Sequence, residues 1–305
     1  MRKLYKAKGK VVMTSKAENM HIYGDDGFYD RISGVSKVYG HAYAARVTDE
    51  NDTLFISADT LMSVESDDPK KKRLLAYHNV RIFKSDLQGR ADSLVYHAAD
   101  SMLFFYRDPV LWADENQMTA DSISILLKNK QISRIYMVAN SFVASQDSLK
   151  NFNQIKGRKM TAYFQGKNIH HVYVEGNGES LYFALQEKDK VPDKNSGKTD
   201  SLGTKNLLPP KDSVRVKVDS TVARNDTTKI KTEKITVVSG MNRILCSNMK
   251  INFKEGKVNN ISFYIKPDAT FIPPHELKRE DILLKGFLWR GTDRPTRKQV
   301  AEKSP

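Results

Sequence analysis

One pattern limits what this chain can fold into more than any other. A short segment with apolar residues at alternate positions returns six times. AENMHIYG from Ala17, ADTLMSVE from Ala58, ADSLVYHA from Ala91, ADSISILL from Ala120, GRKMTAYF from Gly157 and CSNMKINF from Cys246 align with one another. The fourth residue is apolar in every copy: Met20, Leu61, Leu94, Ile123, Met160 and Met249. Beyond it the alternation continues, as in Ile123, Ile125 and Leu127, or Met160, Ala162 and Phe164, or Met249, Ile251 and Phe253. A period of two lines one face of a β-strand, whereas a helix needs a period of 3.6.

A second element follows each copy: KVYGHAYAARV from Lys37, LAYHNVRIF from Leu75, FFYRDPVLW from Phe104, YMVANSFVA from Tyr136, VYVEGNGESLYF from Val172 and FYIKPDATF from Phe263. Each is a strand-like run, a corner containing Gly, Asn, Asp or Pro, and a second run. Those residues accept turn geometry that β-branched residues resist. EGK at Glu255–Lys257 reads as a hairpin turn between two such runs. The segments start 41, 33, 29, 37 and 89 residues apart. Strands at this spacing with no helices between predict an all-β stack or two-sheet roll, in which neighbouring repeats bury each other's apolar faces. Each inward side chain contributes about 1.5–3 kcal/mol.

The 89-residue gap has its own cause. Residues 187–235 carry twelve Lys and Arg against eight Asp and Glu, with few large apolar residues. Such a composition predicts a disordered polar insertion. The organisation expected is therefore β-repeats over 1–186, the insertion over 187–235, continuing strands over 236–272, and a C-terminal cap over 273–305. In that cap the double proline and Glu276 and Glu280 predict a short helix from His275 to about Lys285. Trp289 is expected to cap the end of the apolar core, and the basic tail RPTRKQVAEKSP to fray.

The formal charge of +14 favours anionic partners. Cys246, the single cysteine, excludes a disulfide framework and a cysteine zinc site, and reads as a small core residue. No apolar run is long enough for a membrane-spanning helix. MRKLYKAKGK lacks the apolar stretch of an export signal, yet it reads as the middle of a repeat, so the natural start is expected upstream.

At this point the residues resemble a family. The recurrent AD-S/T-L/I strands, RDPVLWADENQMTADSISI (Arg107–Ile125), ANSFVASQD (Ala139–Asp147) and the C-terminal KPDATFIPPHELKREDILLKGFLWR look like the OstA-like proteins of periplasmic lipopolysaccharide transport, in their longer form. The resemblance spans most of residues 1–186 and 236–295. It implies an elongated, open, V-shaped β-jellyroll that holds acyl chains between two sheets and leaves sugars and phosphates outside. It also implies a periplasmic location, association with the outer membrane, and end-to-end joining to partner transport proteins or to further copies through terminal strands. The missing export signal and the 187–235 insertion depart from the family pattern.

On this reading lipopolysaccharide is the ligand, no cofactor is needed, and there is no catalysis. The groove is expected to be lined by Leu94, Tyr96, Ile123, Ile125, Met137, Phe142, Met160, Phe164, Val172 and Val174. Each of them has dry-core packing as its alternative. Arg81, Lys84, Arg107 and Arg134 are candidates for lipid phosphates, with solvated surface charge as the alternative. Asp59, Asp92 and Asp121 recur in register with the repeat, which makes them turn or edge residues and not a catalytic pair. His170 and His171 are adjacent in a strand, so their rings are expected on opposite faces. A scaffold or adhesin shares the predicted fold. A nucleic-acid binder fits the charge but lacks clustered cations and any recognition motif, so no nucleic-acid partner is expected.

Overall fold

The computed structural model describes residues 4–15, 19–48, 52–166, 168–189, 234–254 and 257–301. The fold is all-β, and among the described residues eighteen strands form one antiparallel network. In chain order they are β1 (Leu4–Ser15), β2 (Met20–Asp30), β3 (Val35–Tyr39), β4 (Tyr43–Val47), β5 (Thr53–Ser57), β6 (Thr60–Val64), β7 (Arg73–Phe83), β8 (Gln88–His97) and β9 (Met102–Tyr106). They continue as β10 (Val110–Ala113), β11 (Asn116–Thr119), β12 (Ser122–Lys128), β13 (Gln131–Gln146), β14 (Phe152–Gln165), β15 (Asn168–Asp189), β16 (Lys234–Lys254), β17 (Lys257–Tyr264) and β18 (Asp268–Ile272). Among the described residues the one α-helix, α1 (Arg297–Ala301), lies near the end. Two compact units are distinguished, residues 1–184 with 238–305, and residues 185–237. In the second, the described residues 185–189 and 234–237 are strand, and Lys234 meets Glu187 at 3.2 Å. Strand therefore reaches a few residues into the expected 187–235 insertion at both ends. The rest of that insertion lies outside the described residues, as do Glu255 and Gly256 of the expected EGK turn.

The first unit forms two layers because its long strands bend. β7 pairs with β6 through Arg73–Tyr77 and with β5 through Arg81–Phe83. β13 pairs with β12 through its first half and with β11 through its second. The ladders slip at these bends, between Tyr77 and Val80 and between Val138 and Ser141. Layer A contains β4, β5, β10, β11, β18 and the segments of the long strands paired with them. Layer B contains β3, β6, β9, β12, β17 and the complementary segments.

The bends are where the repeat's second element predicts corners. Each has two consecutive left-handed residues: Gly40–His41, His78–Asn79, Arg107–Asp108, Ala139–Asn140, Gly176–Asn177 and Ile265–Lys266. The aspartates of the repeat face them. The backbone N–H groups of Asp59, Asp92 and Asp121 donate to the carbonyls of His78, Arg107 and Ala139 at 2.9–3.2 Å. The Asp59 and Asp121 carboxylates accept hydrogen bonds from Asn79 and Asn140 at 2.8 and 3.1 Å, and Asp92 meets His78 at 3.2 Å. Asp59 and Asp121 thus satisfy a side chain of the corner their backbone faces, and Asp92 reaches back to His78 of the preceding corner, so each periodic Asp pairs with a corner side chain.

Five of the six aligned segments start at these bends; the first does not. Its structural counterpart starts at Gly24, because Asp25 N donates to Gly40 O at 2.9 Å as the later aspartates do to theirs. The first position is small because it is crowded. A Cβ on Gly24 or Gly157 would lie 2.4 Å from a methyl of Val38 or Val174, and Ala58 is fully buried in the same place. The fourth position is the deepest point of the core: Leu61, Leu94, Ile123, Met160 and Met249 are all essentially inaccessible.

Hydrogen bonds from Ser93 and His78, with the Arg107 guanidinium nearby, hold the Asp92 carboxyl below its ordinary value of 3.8. A carboxyl depressed in the folded state stabilises it above the unfolded value, and that contribution is lost as pH falls through the folded value. Asp92→Asn is therefore expected to lower stability at neutral pH and to flatten its decline below about pH 4, read from urea midpoints across pH. An unchanged slope would rule out this role for the corner.

Candidate functional site

The inner faces of the two layers meet in one apolar core, which opens into a cavity of about 470 Å³. This volume is in the range of small-molecule sites. Layer A contributes Leu54, Ile56, Ile82, Met118, Val143 and Ile155 to the walls, and layer B contributes Leu74, Leu103, Phe105, Ile135 and Phe253. Cross-strand register keeps inward residues together on one face, as in the pairs Ile135–Ala162 and Val143–Ile155 on either side of the bend.

The rim has a different character because it is made of hairpin turns. Lys84 and Asp86 come from the β7–β8 turn, Asp114 and Asn116 from β10–β11, Asn129, Lys130 and Gln131 from β12–β13, and Gly166 and Asn168 from β14–β15. Turns favour polar residues for their backbone geometry, so an apolar interior acquires a polar lip. Lys84 Nζ donates to Asp86 at 2.7–2.8 Å on that lip. Burial raises the Asp52 carboxyl, but hydrogen bonds from Ser85 and Thr53 and the charge of Lys84 outweigh it, and the carboxyl stays below its usual range.

Of the expected lining residues, Leu94, Tyr96, Ile125, Met137, Met160, Phe164 and Val172 border the cavity. Ile123 and Val174 are buried in the same core without bordering it. Phe142 has to be corrected. It is out of phase with Met137 and Val143, so it projects from the outer face of layer A into a second core with Leu181, Phe183, Met241 and Leu284. Among the four basic candidates only Lys84 lies on the rim. Arg107 occupies a corner 3.8 Å from Asp92, Arg81 sits within β7 and pairs across to Arg90, and Arg134 is on the outer face of layer B with its guanidinium over Tyr163. His170 and His171 also depart from expectation. A ladder slip beside Tyr163 brings their Nδ1 atoms to 2.6 Å, on one side of the strand.

Residues after Ile272 form a strap and not a terminal cap. The helix expected over 275–285 is only a single 3-10 turn, Pro274–Glu276. The chain then crosses the outer face of layer A, gripped by glutamines. Gln154 donates to Ile282 O and accepts from Leu284 N, both at 2.8 Å. Gln117 donates to Leu288 O at 2.7 Å and accepts from Arg290 N at 2.6 Å. Gln88 accepts from Arg294 Nε at 2.7 Å and donates to Lys84 O at 2.5 Å. Register makes Gln154, Ala144, Gln117, Trp112 and Gln88 one row across the strands. Trp289 packs on Phe152 at 4.8 Å on this face, not at the end of the core. The tail, expected to fray, forms α1, with Val300 fully buried and Arg297 over the Phe55 ring; residues 302–305 lie outside the described residues.

Among the described residues no group of three or more His, Cys, Asp or Glu is placed to hold a metal ion. Burial raises the Cys246 thiol, in keeping with a packed core residue. Among the described residues no helix is long and apolar enough to cross a membrane. Comparison with family models and with curated proteins gives no match for the chain.

Proposed function

We propose that this protein is a non-catalytic carrier of lipopolysaccharide, acting in the periplasm on the way to the outer membrane. The observation that carries the reading is a cavity between two sheets, walled mostly by apolar side chains and bordered at its rim by polar residues of hairpin turns. Acyl chains gain about 0.8 kcal/mol for each methylene buried there, so a few methylenes supply useful affinity without any polar contact. A headgroup stays at the lip beside Lys84, Lys130 and Asn168. Cargo passes between proteins through continuous grooves, and terminal strands offer the means of joining. β1 pairs only with β2, and β17 and β18 only with β16, among the described residues. Such edges present unpaired N–H and C=O groups to a neighbour.

The test is extraction of lipid from the protein purified out of native membranes, followed by mass spectrometry. An acylated, phosphorylated glycolipid at near one per chain is expected. Lipid-free protein that also fails to bind fluorescent lipopolysaccharide would reject the carrier and favour a scaffold with the same fold.

A further inference from the structure

Neighbouring hairpins of layer A border the mouth of the cavity, and the ladders that join them stop short of the rim. The β5–β7 ladder ends at Phe55–Phe83, and the β8–β10 ladder ends at Gln88–Trp112. Thr48, Lys84, Asp86 and Asp114 border the cavity beyond those ends. Side chains join the hairpins there. Asp52 accepts from Ser85 Oγ at 2.6 Å and from Ser85 N at 3.3 Å, which ties the approach to β5 to the β7–β8 turn. Thr48 is held to the same place, its N–H and hydroxyl donating to Asp52 O at 2.8 and 2.9 Å. The next gap, between the β7–β8 and β10–β11 turns, is spanned from the strap. Arg294 donates through Nε to Gln88, whose amide donates to Lys84 O and Ser85 O, and through Nη1 to Asp114 O at 2.8 Å. Both flanks of Arg294 are anchored. Before it, Asp293 receives Arg290 at 2.9 Å and Arg90 at 3.4 Å; after it, Pro295 is buried and Val300 of α1 fully so.

We propose, on the basis of the carrier reading, that Arg294 is a positioning residue of the cavity mouth, through which the strap sets how fast an occupant leaves. An occupant seated between the layers leaves when the rim opens, and rim turns open locally as far as their own bonds allow. The planar guanidinium reaches acceptors on two turns at once, as an ammonium does not, and the anchored flanks hold it ready for both. Without Arg294 the β7–β8 and β10–β11 turns lose the fork that spans them, and they can part while the strands stay paired. Gln88, only 3% exposed, loses its charged donor in the same step. The converse holds by linkage: an occupant that favours the closed rim also tightens the strap upon it.

The experiment is stopped-flow displacement of N-phenyl-1-naphthylamine, an apolar dye without a headgroup, from the full chain. Arg294→Ala and Arg294→Lys should each speed its release about tenfold, the loss of one charge-assisted hydrogen bond read as a rate. Hydrogen exchange at the amides of residues 84–88 and 113–116 should quicken in both variants. Gln154→Leu, which loosens the strap away from the rim at its own cost in stability, should leave release unchanged. Release at the wild-type rate from both Arg294 variants, equal acceleration by Gln154→Leu, or failure of the wild-type chain to take up the dye overturns the proposal. Fluorescent lipopolysaccharide separates it from the carrier reading. A wild-type chain that releases the dye in an Arg294-dependent way but refuses lipopolysaccharide keeps the strut and rejects the carrier. Uptake of lipopolysaccharide with dye release indifferent to Arg294 does the reverse.

Discussion

Replacing Gln154 by leucine is expected to cost the folded state about 2–4 kcal/mol, read as a lower urea midpoint with an unchanged slope. Leucine nearly preserves the volume, so packing changes little. What is lost is the pair of hydrogen bonds through which the amide holds the strap, to Ile282 O and from Leu284 N. Leu284 is buried, and Gln154 itself is inaccessible, so water cannot replace the partners. A buried peptide group left without a partner costs about 1–3 kcal/mol. Two are orphaned here. Phe142, Leu181, Phe183 and Met241 depend on the same strap for burial, so partial detachment adds to the loss. In a chain truncated after Leu277 the same substitution should cost almost nothing, because its partners are already gone. Equal penalties in the two backgrounds would show that Gln154 acts within its own strand and does not clamp the strap.

The strap also marks the boundary of what the amino-acid sequence discloses. The corners were legible because they are local: a left-handed residue pair, a small residue and an Asp recur within a few positions. Phase was legible too, and it placed Leu94, Ile125, Met137 and Met160 on the cavity. The glutamines were not, since Gln88, Gln117 and Gln154 stand 29 and 37 residues apart and become neighbours only through strand register. A signal for the covered outer face nonetheless existed. SFVAS and VLW place apolar residues on both phases of a strand, as happens where both faces of a sheet are buried. Reading hydrophobicity without phase put Phe142 in the groove; phase alone would have put it under a second layer. The first repeat was misaligned by seven residues because Met20 mimics the deep apolar position, while its true equivalent is Gly27. The adjacent histidines went astray because strict alternation does not survive a ladder slip.

If the cavity holds acyl chains, filling it should abolish retention while leaving the fold intact, and Ala162→Phe is the substitution to make. Ala162 borders the empty space from layer B and is almost fully buried. A phenyl ring there projects into the cavity, where it meets Ile135 and Val172 of the neighbouring strands. Overpacking a filled core costs about 1–3 kcal/mol, but a ring that enters existing free volume gains contacts that offset much of this. Introducing charge instead, as in Ile125→Asp, places an unpaired carboxylate at a site only 2% exposed and tests folding before it tests binding. A ring excluding four methylenes of ligand removes about 3 kcal/mol, which is roughly a hundredfold in affinity for fluorescent lipopolysaccharide. Phe142→Ala serves as the counterpart. It lies under the strap on the outer face, so it should lower stability by about 3 kcal/mol or more and leave the affinity of the folded fraction unchanged. If Ala162→Phe keeps full affinity at native stability, acyl chains do not occupy this cavity.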